Sequence, residues 1–298
     1  GSNGAMNKFT IVHLSDPELT PAPVDPQYQQ QKSPIKNLQQ IYDDVLVHQI
    51  APDLIVIGGD LIQKGTTQDY AKLRAYLSEQ AERLQAPIQV ILGDQDDREA
   101  FNAGYLSQSH QPYYAYKQMY QNMDFYFLDS KWETNKEAGW LDREQLDWLN
   151  KNLHIAPRRR AFIFLHHPLD APALRSMRYA LLQNNRELLA ILHGHNIGGI
   201  FTGHLHFGAS YLVDNTIPVT TVGSATTYIN CQDPHYHEVH DAINYNVITI
   251  QRGMASVTNH PLYLGQTVID TITIGNTGFA KHRPRPTGSR RMVNENFL

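Results

Sequence analysis

The sequence predicts an α/β protein, and three observations carry the prediction. Short apolar runs at residues 9–14, 54–57, 88–92, 125–128, 161–165 and 200–201 each end in glycine or polar residues, as buried strands do. Between them, residues 35–49, 67–83, 143–153 and 177–191 have helical character. In the third of these, Leu146, Leu149 and Leu153 recur at helical spacing with Trp148 beside them. Strand alternating with helix implies a largely parallel sheet joined by crossovers. Beyond residue 210 the helical signal stops. The runs at 211–213, 219–222, 245–250 and 268–274 read as a second, mostly antiparallel sheet.

With 298 residues and 41% hydrophobic content, the chain can bury a full core. No linker-like stretch rich in Pro, Gly or Ser divides it before residue 275, so one domain is expected over residues 6–274. Residues 1–5, ahead of Met6, read as an expression scar. The 17–34 stretch, rich in Pro and Gln, reads as an insertion after the first strand, and 275–298 as a flexible basic tail. A formal charge of -4 gives no nucleic-acid or membrane footprint, and no run approaches the roughly 20 apolar residues of a membrane span. The single Cys231 cannot form an internal disulfide, which points to a reducing, cytoplasmic setting.

The chemistry is positional. Metal-ligand residue types stand at the carboxyl end of strand after strand: Asp16, Asp60, Asp94, His166, and the pair His204 and His206. In open α/β sheets ligands bind outside those ends, so such loops can converge on a metal cluster. Each residue alone has a plainer reading. Asp60 after Gly58 and Gly59 can cap a helix, and Asp94 within Gly93-Asp94-Gln95-Asp96 can serve a turn. The set repeats at corresponding strand ends, which those plainer readings do not explain.

The segments that carry these residues are, in order, Asp16-Pro17-Glu18, Gly59-Asp60, Gly93-Asp94-Gln95-Asp96, His166-His167-Pro168 and Gly203-His204-Leu205-His206. Their order resembles the calcineurin-like metallophosphoesterase family, in particular its branch of class III cyclic-nucleotide phosphodiesterases and glycerophosphodiesterases. The stretch from Leu128-Asp129-Ser130 to Trp148-Leu149 is similar to that branch's connecting segment. The resemblance implies a four-layer αββα sandwich of two mixed sheets flanked by helices. It also implies one or two divalent ions (manganese, iron or magnesium, with zinc a further candidate) and hydrolysis of a small-molecule phosphate ester. Cyclic nucleotides or glycerophosphodiesters are the implied substrates. No nucleic-acid or membrane partner is expected, and the oligomeric state stays open, a homodimer included. Carried over by position, Asp60 would bridge two ions. Asp16, Glu18 and His206 would hold one of them, and Asp94, His166 and His204 the other, with His167 packing against His166 or orienting it.

Three positions depart from the family pattern. Glu18 stands for a His, Asp94 for an Asn, and Gln95 for the His that assists the phosphate and leaving group. Glu18 and Asp94 remain oxygen donors and favour harder ions. Four carboxylates with two divalent ions and a hydroxide bring the net charge near -1, against +1 for the family set. At about 4 Å and an effective dielectric near 20, each unit is worth roughly 4 kcal/mol to a bound phosphate, an upper figure. Gln95 cannot transfer a proton, and that assistance is typically worth about 10²–10⁴ in rate. Asp96, Asp97 and His167 are the remaining proton-donor candidates nearby. The alternative is therefore a family member that has lost catalysis and acts as a binding or regulatory protein.

Among the other histidines, His235 and His237 with Glu238 could form a second metal site or line the substrate pocket, or belong to a polar surface loop between strands. His193 and His195 read as loop residues. Cys231 lacks the helix-start setting of a reactive thiol, and no Gly-x-Ser-x-Gly elbow or phosphate-binding Gly-rich loop is present.

Overall fold

The computed structural model describes residues 7–21, 33–262, 268–276 and 280. The proposed scar, the middle of the 17–34 insertion and nearly all of the basic tail lie outside these residues. A first sheet contains β1 (Lys8–Leu14), with β2 (Leu54–Ile57) and β3 (Ile88–Val90) parallel to it on one side. On the other side β12 (Asn244–Gln251) runs antiparallel to β1, and β13 (Met254–Pro261) forms the edge. A second sheet is built on β5 (Met123–Phe127), β6 (Ala161–Phe164), β7 (Ile197–Thr202) and β9 (Ile217–Thr221), all parallel. Its edges, β4 (Tyr116–Tyr120) and β8 (Ala209–Val213), are antiparallel. A small third sheet joins β10 (Tyr228–Asn230), β11 (Tyr236–His240) and β14 (Val268–Thr273).

Strand alternation writes the layers directly. Phe9 and Ile11 of β1, Leu54 and Val56 of β2, and Ile248 and Ile250 of β12 meet Phe125, Phe127, Phe162, Phe164 and Phe201 between the two sheets. The opposite faces carry Val12, Leu14, Ile55 and Ile57. These pack under α1 (Pro34–Val47), α2 (Thr67–Leu84) and α3 (Arg98–Gly104). On the far side Tyr126, Leu128, Ile163 and Leu165 pack under α4 (Arg143–Ile155) and α5 (Asn185–Leu192). The result is the αββα order implied by the resemblance.

Local chemistry sets the helix limits. Pro34 opens α1, where its missing N–H costs nothing. Thr66 and Asp69 form a reciprocal capping box at the start of α2. Asp97 accepts the Ala100 N–H and starts α3, a seven-residue helix that periodicity did not flag.

Two expectations are corrected. The late strands do not form a sheet of their own: 211–213 and 219–222 extend the second sheet, 245–250 inserts beside β1, and 268–274 joins the small sheet. Alternation identifies a strand but not which sheet edge it meets. The helix expected over 177–191 is a 3-10 helix (Pro172–Ala180) and α5, separated by extended backbone at Leu181. Backbone hydrogen bonds from Gly139 to Leu181, Leu182 to Pro168 and Gln183 to Gly139 replace the helical ones there. No helix among the described residues is long and apolar enough to cross a membrane.

Candidate metal centre

The turns after β1, β2, β3, β6 and β7 deliver all seven expected donors to one buried cluster. Asp16, Glu18, Asp60, Asp94, His166 and His206 are each at most 5% exposed. Among the described residues the donor atoms fall into three overlapping groups whose members lie within 4.8 Å of one another. They are Asp16 with Glu18 and His206; Asp16 and Asp60 with His166 and His204; and Asp94 with His166, His167 and His204.

The backbone is strained where the donors sit. Asp16, Glu18, Asp60, His204 and His206 have φ of 56°, 46°, 54°, 76° and 61°. Left-handed backbone at non-glycine residues is uncommon and clusters at functional sites. Gly93 is required by close approach, since a Cβ there would lie 2.2 Å from Asp60 Oδ1.

His166 sits at the centre. Its Nδ1 lies 2.6 Å from the Gly58 carbonyl, which accepts its proton and leaves Nε2 facing the acids. That Nε2 is 3.1 Å from Asp94 Oδ1, 3.3 Å from Asp60 Oδ2, 3.7 Å from Asp16 Oδ1 and 3.1 Å from His204 Nδ1. His204 Nδ1 is also 3.1 Å from Asp94 Oδ1, and its backbone N–H donates to Asp16 Oδ2 at 2.9 Å. His206 Nε2 stands 3.5 Å from Asp16 Oδ1 and 3.7 Å from Glu18 Oε1, while its Nδ1 meets Thr227 Oγ1 at 2.6 Å.

Packing four acids together splits their protonation. Burial, followed by Asp60, Asp16 and Asp94, raises Glu18 well above the carboxylate range, and burial with Asp94 does the same to Asp60. Burial also pushes on Asp16 and Asp94, but the imidazoles outweigh it and hold both below that range. On His204, burial opposes the charge and Asp94 overcomes it, lifting the ring to about 9. Cations placed among these groups would relieve the crowding. The donor set fits them: Asp16 Oδ1, His167 Nε2 and His204 Nε2 are buried without a hydrogen-bond partner among the described residues.

The other sequence candidates fall elsewhere. Gln95 borders the cluster; its backbone N–H donates to Asp60 Oδ1 at 2.9 Å and its side chain lies 3.4 Å from Asp94 Oδ2. Asp96 is committed to structure, accepting from the backbones of Leu61, Ile62 and Gly93 and from the Tyr70 hydroxyl. Asp97 is a helix cap. His235 precedes β11, and His237 and Glu238 lie on that strand rather than in a surface loop; they join none of the donor groups. His193 caps α5 and pairs with Asp214 at 2.7 Å, and His195 packs on His154, as loop residues would.

Sequence reasoning did not find the loop after β9. There the Thr226 hydroxyl lies within reach of two acceptors for its one proton, the Asp16 carbonyl at 3.1 Å and Glu18 Oε2 at 3.3 Å. Loop Ser and Thr are too common to signal such a role.

A family model described as Calcineurin-like phosphoesterase matches residues 9–208. A protein of Rhodococcus erythropolis described as "Probable cyclic nucleotide phosphodiesterase" is 26% identical over 224 residues, spanning 74% of this chain and 72% of that one. A "Probable glycerophosphodiester phosphodiesterase GpdQ" of Arcobacter nitrofigilis is 30% identical over 179 residues, 57% of this chain and 62% of that one. Among solved structures, a dimetal phosphatase from Danio rerio superimposes with a TM-score of 0.57 at 16% identity, covering 84% of this chain and 98% of that one. At that identity the likeness speaks for the fold alone.

Proposed function

Because the chain belongs to the calcineurin-like phosphoesterase family, we propose that it hydrolyses a small-molecule phosphodiester at a site holding two divalent ions. The cyclic-nucleotide and glycerophosphodiester classes are the candidate substrates, in line with the names its relatives carry. One observation carries the reading: five separate strand ends bring seven oxygen and nitrogen donors into a single buried cluster. In this reading Asp16, Glu18 and His206 would hold one ion, Asp94, His166 and His204 would hold the other, and Asp60 would be shared by both. Bound divalent ions would polarise the phosphate oxygens and lower the pKa of water at the site from about 15.7 toward 7. Manganese, iron or magnesium suit the carboxylate-rich first position. The protein's own work is orientation. The Gly58 carbonyl and Thr227 hydroxyl fix the rings of His166 and His206, and the Gln95 side chain offers a hydrogen bond at the cluster edge. The lone Cys231 supports a cytoplasmic setting.

A second reading, a binding or regulatory protein with little turnover, is favoured by the departures at Glu18, Asp94 and above all Gln95, which holds the proton-donor position without a transferable proton. Hydrolysis of bis(p-nitrophenyl) phosphate with added Mn²⁺ separates the two. The hydrolase reading expects turnover that Asp60→Ala reduces to background. Absence of turnover in a protein shown to contain metal would favour the binding protein.

A further inference from the structure

The sequence reading leaves His167 packing against His166 or orienting it, and the two rings do meet edge to face with centroids 5.0 Å apart, but that contact leaves the His167 Nε2 unaccounted for. We infer that His167 Nε2 is itself a donor to the ion held by Asp94, His166 and His204, an inference that rests on the metal-centre reading above. The His167 ring is fully buried, and its Nε2 lies 3.8 Å from Asp94 Oδ1. That gap is too long for a hydrogen bond, yet it suits two donors that each reach one ion at about 2.0–2.2 Å. Nε2 has no hydrogen-bond partner among the described residues. A proton on it would be a buried, unpaired donor, whereas a lone pair aimed at a cation needs nothing more. The far side of the ring is consistent with that tautomer. Ser130 Oγ sits 2.7 Å from Nδ1, placed to accept its proton, and takes the His167 backbone N–H at 3.2 Å.

The ring is also held from behind. A Cβ on Gly139 would lie 2.4 Å from His167 Cγ, so the loop backbone presses directly against the imidazole. Gly139 is in turn bridged to Lys131, whose Nζ donates to the Asp94 carbonyl at 3.1 Å. Asp94 and His167 are therefore aimed by one loop. The consequence is an asymmetric centre. Besides the shared Asp60, one position would have two carboxylates and one imidazole; the other would have one carboxylate and three imidazoles, which suits borderline ions such as zinc or cobalt.

The test is made on the full chain, stripped of metal, reloaded to saturation with Co²⁺ and labelled with ¹⁵N-histidine. Each histidine bound through one ring nitrogen keeps a proton on the other, which gives one hyperfine-shifted ring N–H signal. Four such signals (His166, His167, His204 and His206) are expected in the native protein. Three would overturn the proposal, and this count needs no variant to fold. His167→Gln should remove one signal and weaken one Co²⁺ binding step at least about 100-fold by calorimetry, the other step changing little. A His167→Gln protein with unchanged binding and a full set of signals would also overturn it. Failure of the native chain to take up Co²⁺ would instead remove the metal-centre reading itself.

Discussion

Gln95 stands where a proton donor would help the leaving group, and an amide can offer only a hydrogen bond. Gln95→His should therefore raise turnover of substrates with poor, alkoxide leaving groups by about 10²–10⁴, and change p-nitrophenyl esters far less. Comparing kcat for alkyl and aryl diesters checks this, and an equal gain on both would contradict it. His13 gives a second residue-scale prediction. Its ring is buried between the edges of Phe164 and Phe201, and neither ring nitrogen has a hydrogen-bond partner among the described residues. Burial, partly offset by Asp16, depresses its pKa to about 3. Because the folded value lies below the unfolded value near 6.5, the unfolded chain binds the extra proton. Stability is then lost as pH falls from about 6.5 toward 3, by up to about 1.4 kcal/mol per pH unit. Urea unfolding at several pH values should show that slope reduced by one proton in His13→Leu. Six of the seven donors were legible as residue types at strand ends, and Glu18 only through the family resemblance. His13 and the true setting of His167 were not, because a sequence shows neither burial nor which way a ring is held.

Among the elements, the join between α3 and the loop after β5 holds Asp94 in place. Arg98 makes a two-pronged pair with Asp129, Nε to Oδ2 at 2.9 Å and a second nitrogen to Oδ1 at 3.1 Å, and also donates to the Lys131 carbonyl. Asp129 collects the Tyr114 and Lys131 backbone N–H groups besides. Both partners of the pair are buried, so removing one leaves an uncompensated charge. Arg98→Met is expected to cost about 3–5 kcal/mol in denaturant unfolding. A loss under about 1 kcal/mol would place the pair among those that contribute little. Nothing in the sequence links Arg98 to Asp129, since the pairing exists only once β3 and β5 lie in facing sheets. The other strands and the long helices were readable from the sequence, but β4, β10, β11 and β13 were not. The short α3 and the break between the 3-10 helix and α5 were not, because a cap and tertiary hydrogen bonds to Gly139 and Pro168 decide them.

Across the whole molecule, two sheets and their helices serve one edge. Parallel β1, β2 and β3 supply Asp16, Glu18, Asp60 and Asp94 from one sheet, while β6 and β7 supply His166, His204 and His206 from the other. The phenylalanine layer between the sheets keeps those two halves in register. Without cations the cluster crowds four buried acids, two pushed up and two held down in pKa. Such an arrangement is costly for a fold that has no use for metal. The sequence led to the layer order only through the family resemblance, because the late strands carry no mark of the sheet they join. The most direct measurement is elemental analysis of the purified chain after metal loading and dialysis, beside Asp60→Ala. Two ions per native chain, and at most one in Asp60→Ala, are the predicted result. A native chain that retains no stoichiometric metal would contradict the account.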